Sequence, residues 1–181
     1  MNEHSFVRAV FLTPPPKSVF NLEESALLAK ENVMKKEKMR LEENEIPIRD
    51  GVFVFPENER ETPHLIGGKC KACGDICFPK RILCDECESE EPLEEVLIGE
   101  KGVLNTYTVV RLGYPNFDLP YIMAIVTLPE SDDLQVVAQL QDCEPEEVRI
   151  GMPLAITIGK IKTDFSTGKD VIAYKYRPVR D

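Results

Sequence analysis

The chain has 181 residues, 43% of them hydrophobic and 30% charged, which is enough apolar material for a folded core, and it has no unbroken apolar run long enough for a membrane-spanning helix. A formal net charge of −10 sets the protein against phosphate backbones at long range and argues against a general nucleic-acid binder. The N-terminus lacks the basic start and apolar stretch of a signal peptide, so a cytoplasmic location is expected, with the six cysteines serving as metal ligands and free thiols rather than disulfides.

Taken in order, the chain opens on an extended stretch that ends in Pro14-Pro15-Pro16. Asn21 is a good N-cap, and Glu24 at the third helical position completes a capping box, predicting a long helix from Leu22 to about Glu43. Leu27, Met34 and Leu41 recur every seven residues, and Ala26, Ala29 and Val33 widen that apolar stripe. An isolated helix of this kind is marginal in water, so the stripe must dock, either on the chain's own domain or as an arm on another subunit. Pro47 ends the pattern, and Asp50-Gly51 and Pro56 to Pro63 read as connection. Residues 1–64 are thus expected to be an N-terminal extension, 65–95 a zinc ribbon and 96–181 a β domain.

From Lys101 onward the chain reads as β structure. Val103 to Val110 is the first strand candidate, with Leu104, Thr106, Thr108 and Val110 alternating onto one face. Tyr121 to Leu128, Leu134 to Leu140, Leu154 to Ile161 and Val171 to Tyr176 follow, separated by Pro, Gly, Asn, Asp and Ser turns. Asp142 to Val148 has room for one helical turn. Five strands with a short helix near the middle suit a five-stranded OB-type barrel, so the expected fold class is mainly β, a rubredoxin-like zinc ribbon plus an OB-fold barrel with a helical arm.

The strongest local signal is Cys70-Lys-Ala-Cys73, ten intervening residues, then Cys84-Asp-Glu-Cys87. Two Cys-x-x-Cys knuckles aim four sulfurs at one point, which is what a closed tetrahedral thiolate site for structural Zn²⁺ needs. A dithiol redox site would need only one pair, and a four-thiolate iron site is the chemical alternative. Cys77 lies between the knuckles and reads as a spectator, Cys143 as a free thiol, and His64 and His4 fall outside the ligand spacing.

Charge divides the ribbon. Lys69, Lys71, Lys80 and Arg81 gather around the first knuckle and the hairpin, whereas Asp85, Glu86, Glu88, Glu90, Glu91, Glu94, Glu95 and Glu100 follow with no base among them. The plain reading is solvated surface; the functional one is a small anion site at Lys80 and Arg81 beside an acidic docking face. No phosphate loop, dinucleotide fingerprint, nucleophile elbow or zinc-protease helix motif occurs, and both histidines lie outside the β domain. Without a credible nucleophile and base, the chain reads as a binding or assembly module.

Leu65-Ile-Gly-Gly-Lys-Cys-Lys-Ala-Cys-Gly, Phe78-Pro79-Lys80-Arg81 before the second knuckle, Gly102-Val-Leu-Asn-Thr-Tyr107, Pro120-Tyr-Ile-Met-Ala-Ile-Val, Ile150-Gly-Met-Pro153 and Tyr176-Arg-Pro178 together closely resemble the zinc-ribbon/OB-fold proteins encoded beside thiolases. The resemblance covers roughly Leu65 to Asp181. It implies a non-catalytic partner of thiolase-fold enzymes, or of related acyl-CoA hydratases and aldolases, that helps to bind coenzyme A within a hetero-oligomer. On that reading Lys80 and Arg81 are the candidates for the coenzyme's phosphates and Tyr114 and Phe117 for its adenine or acyl group, against plain barrel-end packing of the two aromatics. The first 60 residues depart from the usual pattern, in which one short helix runs directly into the ribbon; the longer form is similar to the small subunit of an aromatic acyl-CoA thiolase. Two other readings are a nucleic-acid module, which the charge opposes, and a free-standing redox or metal-storage protein, which the extra Cys77 would suit.

If the predicted arm grips a partner subunit, Leu27→Asp combined with Met34→Asp weakens the complex and leaves the metal content unchanged. Burying each such side chain contributes roughly 1.5–3 kcal/mol, so the loss in affinity, read by titration calorimetry, is expected to span orders of magnitude.

Overall fold

A computed structural model describes residues 41–56, 61–131 and 133–180. The expected helix lies outside the described residues except at its end, where Leu41 to Glu43 form a bend and a turn instead. The Glu45 carboxylate accepts the backbone N–H of Glu42 there, and the chain turns directly into a strand. Among the described residues no helix is long and apolar enough to cross a membrane.

Ten strands follow one another: β1 (Glu45–Pro47), β2 (Phe53–Val54), β3 (His64–Lys69), β4 (Ile76–Cys77), β5 (Glu94–Ile98), β6 (Lys101–Val110), β7 (Tyr121–Thr127), β8 (Gln135–Leu140), β9 (Pro153–Thr163) and β10 (Asp170–Pro178). Strand β3 is the spine of the ribbon sheet. It pairs antiparallel with β5 along Leu65 to Lys69, while β2 and β4 pair with its two ends. Strands β6, β7, β8, β10 and β9 close into a barrel, because β9 pairs with both β10 and β6. The β8–β10 contact is parallel and short, and every other pairing around the ring is antiparallel. This is the five-stranded OB arrangement that the strand count predicted. Strand β1 adds parallel to the start of β10. The expected helical turn at Asp142 to Val148 is a single turn closed by the Glu147 N–H on the Glu144 carbonyl.

Period-two alternation sets the barrel interior. Ala124 and Val126 on β7 register with Ala138 and Val136 on β8, and all four are buried, as are Ile122 and Leu140 on the same two strands. On β6 the expected alternation breaks. Leu104 pairs with Val126 and Thr106 with Ile125, so Asn105 is one extra residue, a β-bulge. The bulge reverses the parity of everything after it. Tyr107 and Val109 therefore pack on the core, while Thr106 and Thr108, predicted to share Leu104's face, are exposed. Outside the barrel the same register makes three rows, Val103–Thr127–Gln135, Thr106–Ile125–Val137 and Thr108–Met123–Gln139, with Val110–Tyr121 beyond them. The Asn105 amide reaches across the bulge toward the Thr127 hydroxyl at 3.4 Å, which fixes both on this outer face.

Ribbon and barrel share one core. Val52, Phe53, Leu65 and Ile98 from the ribbon side belong to the same buried cluster as Leu104, Val126, Leu154 and Tyr176 from the barrel. Tyr174 meets Phe53 and Phe78 edge-on, with ring centroids 6.4 and 5.6 Å away. At the centre of the junction the Tyr176 hydroxyl donates to the Gly99 carbonyl at 2.7 Å. Gly99 adopts a φ of +76°, and a Cβ there would come within 2.9 Å of both Leu65 and the Tyr176 hydroxyl, so only glycine serves this turn. Burial, helped by the Glu130 carboxylate, pushes the Tyr176 phenol well above its ordinary pKa and keeps it a donor. Tyr176→Phe strands the Gly99 carbonyl without its partner. Chemical denaturation is expected to show a loss of about 1–3 kcal/mol.

Candidate functional site

The first knuckle begins where β3 ends. Cys70 donates its backbone N–H to the Asp75 carbonyl at 2.8 Å and its carbonyl accepts from Gly74 at 3.0 Å, closing a tight turn with Gly74 at φ +80°. In the second knuckle, Glu88 stands at the matching position after Cys87 with φ +52°. A non-glycine residue in that conformation costs roughly 1–2 kcal/mol, so the second turn is held in place by something beyond its own propensity.

That something is convergence on a common centre. The sulfurs of Cys70, Cys73, Cys84 and Cys87 all lie within 4.8 Å of one another. The Cys70–Cys87 and Cys73–Cys84 pairs are each 3.6 Å apart. Four thiolates around a zinc ion at about 2.3 Å stand about 3.8 Å apart, so the donor set and its spacing fit tetrahedral Zn²⁺. The electrostatics point the same way. The backbone N–H groups of the first knuckle, that of Cys73 foremost, lower the Cys70 thiol to about 7. At Cys73 the N–H of Asp75 also pulls downward, but the crowding thiols of Cys87, Cys70 and Cys84, together with burial, carry it up to about 12. One thiolate is welcome and the next is opposed, so full ionisation needs a cation at the centre.

Cys77 is buried on β4 in a small satellite cluster with Cys70, Cys84 and Leu93, but it is not one of the four convergent sulfurs. Cys143 is half-buried after β8, and burial, then the carboxylates of Glu147 and Asp142, push its thiol up. His64 is half-buried on β3, opposite Val54, and lies apart from the cysteine cluster.

The four residues expected to meet coenzyme A, Lys80, Arg81, Tyr114 and Phe117, are not joined to one another by any hydrogen bond, ion pair or ring contact among the described residues. Lys80 pairs with Glu95 on β5 at 3.2 Å, and Arg81 pairs with Asp85 one helical spacing away. The Asp85 partner is visible in the sequence as an i,i+4 neighbour; the Glu95 partner depends on the sheet that carries β5. Tyr114 is 75% exposed on the β6–β7 loop. Phe117 stacks on Tyr121 at 5.5 Å, with the Lys162 amine 5.9 Å from its ring centre. Asn116 ties this loop to the end of β9, accepting from Thr163 N–H at 2.8 Å through its backbone carbonyl and donating its side-chain amide to the Thr163 carbonyl at 2.9 Å.

Comparison with known proteins adds a family to this geometry. Residues 58–92 match the model of the ChsH2 rubredoxin-like zinc ribbon domain, and residues 95–159 that of the ChsH2 C-terminal OB-fold domain. A DUF35 domain-containing scaffold protein of Methanocaldococcus jannaschii is 36% identical over 119 residues, 65% of this chain and 83% of the relative. The benzoylsuccinyl-CoA thiolase subunit BbsA of Geobacter metallireducens is 30% identical over 152 residues, 84% of this chain and 99% of the relative. A match of 152 residues in a chain of 181 has to begin ahead of the ribbon, within the N-terminal extension. Among solved structures, an Ltp2-ChsH2(DUF35) aldolase chain superposes with a TM-score of 0.51 at 26% identity, covering 64% of this chain and 84% of that one. A ribbon and a barrel fused through one core, matched in the same order by both domain models, settle the assignment: the chain belongs to the DUF35 family of zinc-ribbon/OB-fold proteins.

Proposed function

We propose that this chain is a non-catalytic accessory subunit of a thiolase-type acyl-CoA acyltransferase, in which Cys70, Cys73, Cys84 and Cys87 hold one structural Zn²⁺ and a thiolase-fold partner carries the nucleophile and the bases. The observation that carries the reading is the likeness to the thiolase subunit BbsA, which runs over nearly all of that relative and includes sequence ahead of the ribbon. The zinc ion supplies charge neutralisation and a cross-link between two knuckles, with no redox chemistry of its own.

The ligand of the complex is coenzyme A or its acyl thioester. Lys80 and Arg81 sit in exposed ion pairs, which are worth little in water and exchange readily for a phosphate. Tyr114 is free to stack on a base, with the Phe117–Tyr121 pair as a packed support behind the loop. A second reading, the accessory subunit of an acyl-CoA aldolase, is favoured by the solved aldolase chain of the same fold.

The partner decides between these readings. Co-expression with a thiolase-fold chain is expected to give a stable complex that cleaves a 3-oxoacyl-CoA, whereas the isolated chain has no such activity. A complex that forms only with an aldolase chain supports the second reading, and cleavage by the isolated chain overturns both. Elemental analysis is expected to find about one zinc per chain, lost with soluble protein in Cys73→Ser or Cys87→Ser and kept in Cys77→Ser and Cys143→Ser. Active protein free of metal would remove the zinc from the proposal.

In the active complex, Lys80→Ala with Arg81→Ala is expected to raise KM for coenzyme A by about tenfold to a hundredfold with less effect on kcat, because these groups hold ground state and transition state alike. Kinetics equal to wild type would leave the whole coenzyme site to the partner.

A further inference from the structure

A cleft of about 260 Å³ opens in the barrel where the β6–β7 loop, the start of β7, the end of β8, the turn after β8, and β9 and β10 come together. It lies beside the short parallel contact between β8 and β10, which is confined to Lys175–Gln139 and Tyr176–Leu140. Val109, Ile122, Leu140 and Ile161 give it apolar walls. Lys175 is half-buried in this cleft, and among the described residues its amine takes part in no ion pair or hydrogen bond. The lysine stem crosses from β10 over β9 at Gly159, where an added Cβ would stand 3.6 Å from Cδ. The stem is thus laid along the sheet rather than extended into water.

A cation half-withdrawn from water with no counterion is costly, and an anion seated beside it removes the cost. Burial pulls the Lys175 pKa down, against the carboxylates of Asp118 and Asp142, which act on it only from beyond contact. Two neutral donors stand unspent nearby. Gln139 is directly opposite Lys175, and neither its amide nor the Tyr121 hydroxyl has a hydrogen-bond partner among the described residues. Lys160 is already engaged by Asp170 at 2.9 Å. The rim is acidic, but the Asp118 side chain is 86% exposed and Glu144 is exposed, so both carboxylates are solvated. One unspent cation behind such a rim suits a single negative charge, whereas a phosphate dianion would meet two carboxylates and a chain of −10. The walls favour hydrocarbon beside that charge. The volume falls below the roughly 300–1,000 Å³ of drug-sized pockets, so the ligand is small. The position is also a usual one for OB folds, which bind ligands on the second and third barrel strands and the loop between the first two.

We propose that this cleft is a binding site for a small organic monocarboxylate. The carboxylate accepts from the Lys175 amine, the Gln139 amide and the Tyr121 hydroxyl, and the hydrocarbon tail lies along the apolar walls. None of the cysteines of the metal cluster lines the cleft, and the site does not depend on the accessory-subunit reading.

The test is titration calorimetry of the full-length, zinc-loaded chain with hexanoate, beside hexanamide as its uncharged counterpart. Hexanoate is expected to bind saturably at one site, and Lys175→Met is expected to weaken it by about tenfold to a hundredfold, the loss of one charge-assisted contact. Lys101→Met, a lysine of β6 outside the cleft, is expected to leave binding unchanged. Cys143 lines the cleft, so hexanoate is also expected to slow its alkylation by iodoacetamide severalfold, read by peptide mass mapping. If Lys175→Met does not yield folded protein, Gln139→Leu serves in its place and is expected to weaken hexanoate severalfold. Failure of hexanoate to saturate the wild-type chain overturns the proposal. So does hexanamide binding as tightly as hexanoate, which would leave the carboxylate unrecognised, or equal weakening by Lys101→Met, which would reduce the effect to general surface charge. Saturable binding that leaves Cys143 alkylation untouched would place the ligand elsewhere and overturn this site.

Discussion

Four thiols crowded within 4.8 Å set the terms for the ribbon. Apart from the metal ligands themselves, its satellite core offers little more than Cys77 and Leu93, too small to hold two knuckles against chain entropy. A closed thiolate site reverses that balance, because metal binding becomes folding free energy. It also explains how a second turn can end on Glu88 in a left-handed conformation that glycine takes in the first. Four cysteines closing on one ion leave no open coordination position for a substrate, and zinc held in such a site has no redox chemistry of its own.

The ribbon matters to the barrel because the two are not separate bodies. Phe53 and Leu65 from the ribbon side lie in the same core as Leu154 and Tyr176, and Tyr176 reaches back to the Gly99 turn between them. Disorder in the knuckles would therefore reach β3, and through Leu65 the floor of the barrel. A rigid two-part body with fixed orientation is useful in an assembly role, since a surface on one module is then placed by contacts made on the other. A flexible tether would lose that advantage to entropy on every binding event.

Charge is distributed with equal economy. The acids concentrate after the second knuckle, the hairpin cations Lys80 and Arg81 pair with Glu95 and Asp85, and the outward rows of β6, β7 and β8 between Val103 and Gln139 are left neutral. A long-range field from −10 charges discourages contact with nucleic acid, yet it leaves room for a desolvated protein contact where no charge has to be stripped of water. The OB scaffold thus keeps its usual exposed face while its side chains change what that face can hold.

Some of this was written in local sequence, because local chemistry suffices for it. Cys-x-x-Cys twice is a knuckle geometry that needs no distant partner, and the runs from Tyr121, Leu134, Leu154 and Val171 carry their own β-branched alternation between turn residues, so the metal cluster and the barrel strands were legible. Other features exist only through pairing. Strands β1 and β2, two or three residues long, are strands solely because β10 and β3 offer them an edge. The bulge at Asn105 is a mismatch between two strands, invisible in either one, and it moved Thr106 and Thr108 from the expected face to the opposite side. Lys80 looked free for an anion until the sheet brought Glu95 to it from fifteen residues away. The neutral outward rows of β6, β7 and β8 likewise follow from register, since only cross-strand pairing gathers Val103, Met123 and Val137 onto one surface. Spacing along the chain determined what each segment could become; which side chains meet was decided by non-local pairing, whose register no single segment encodes.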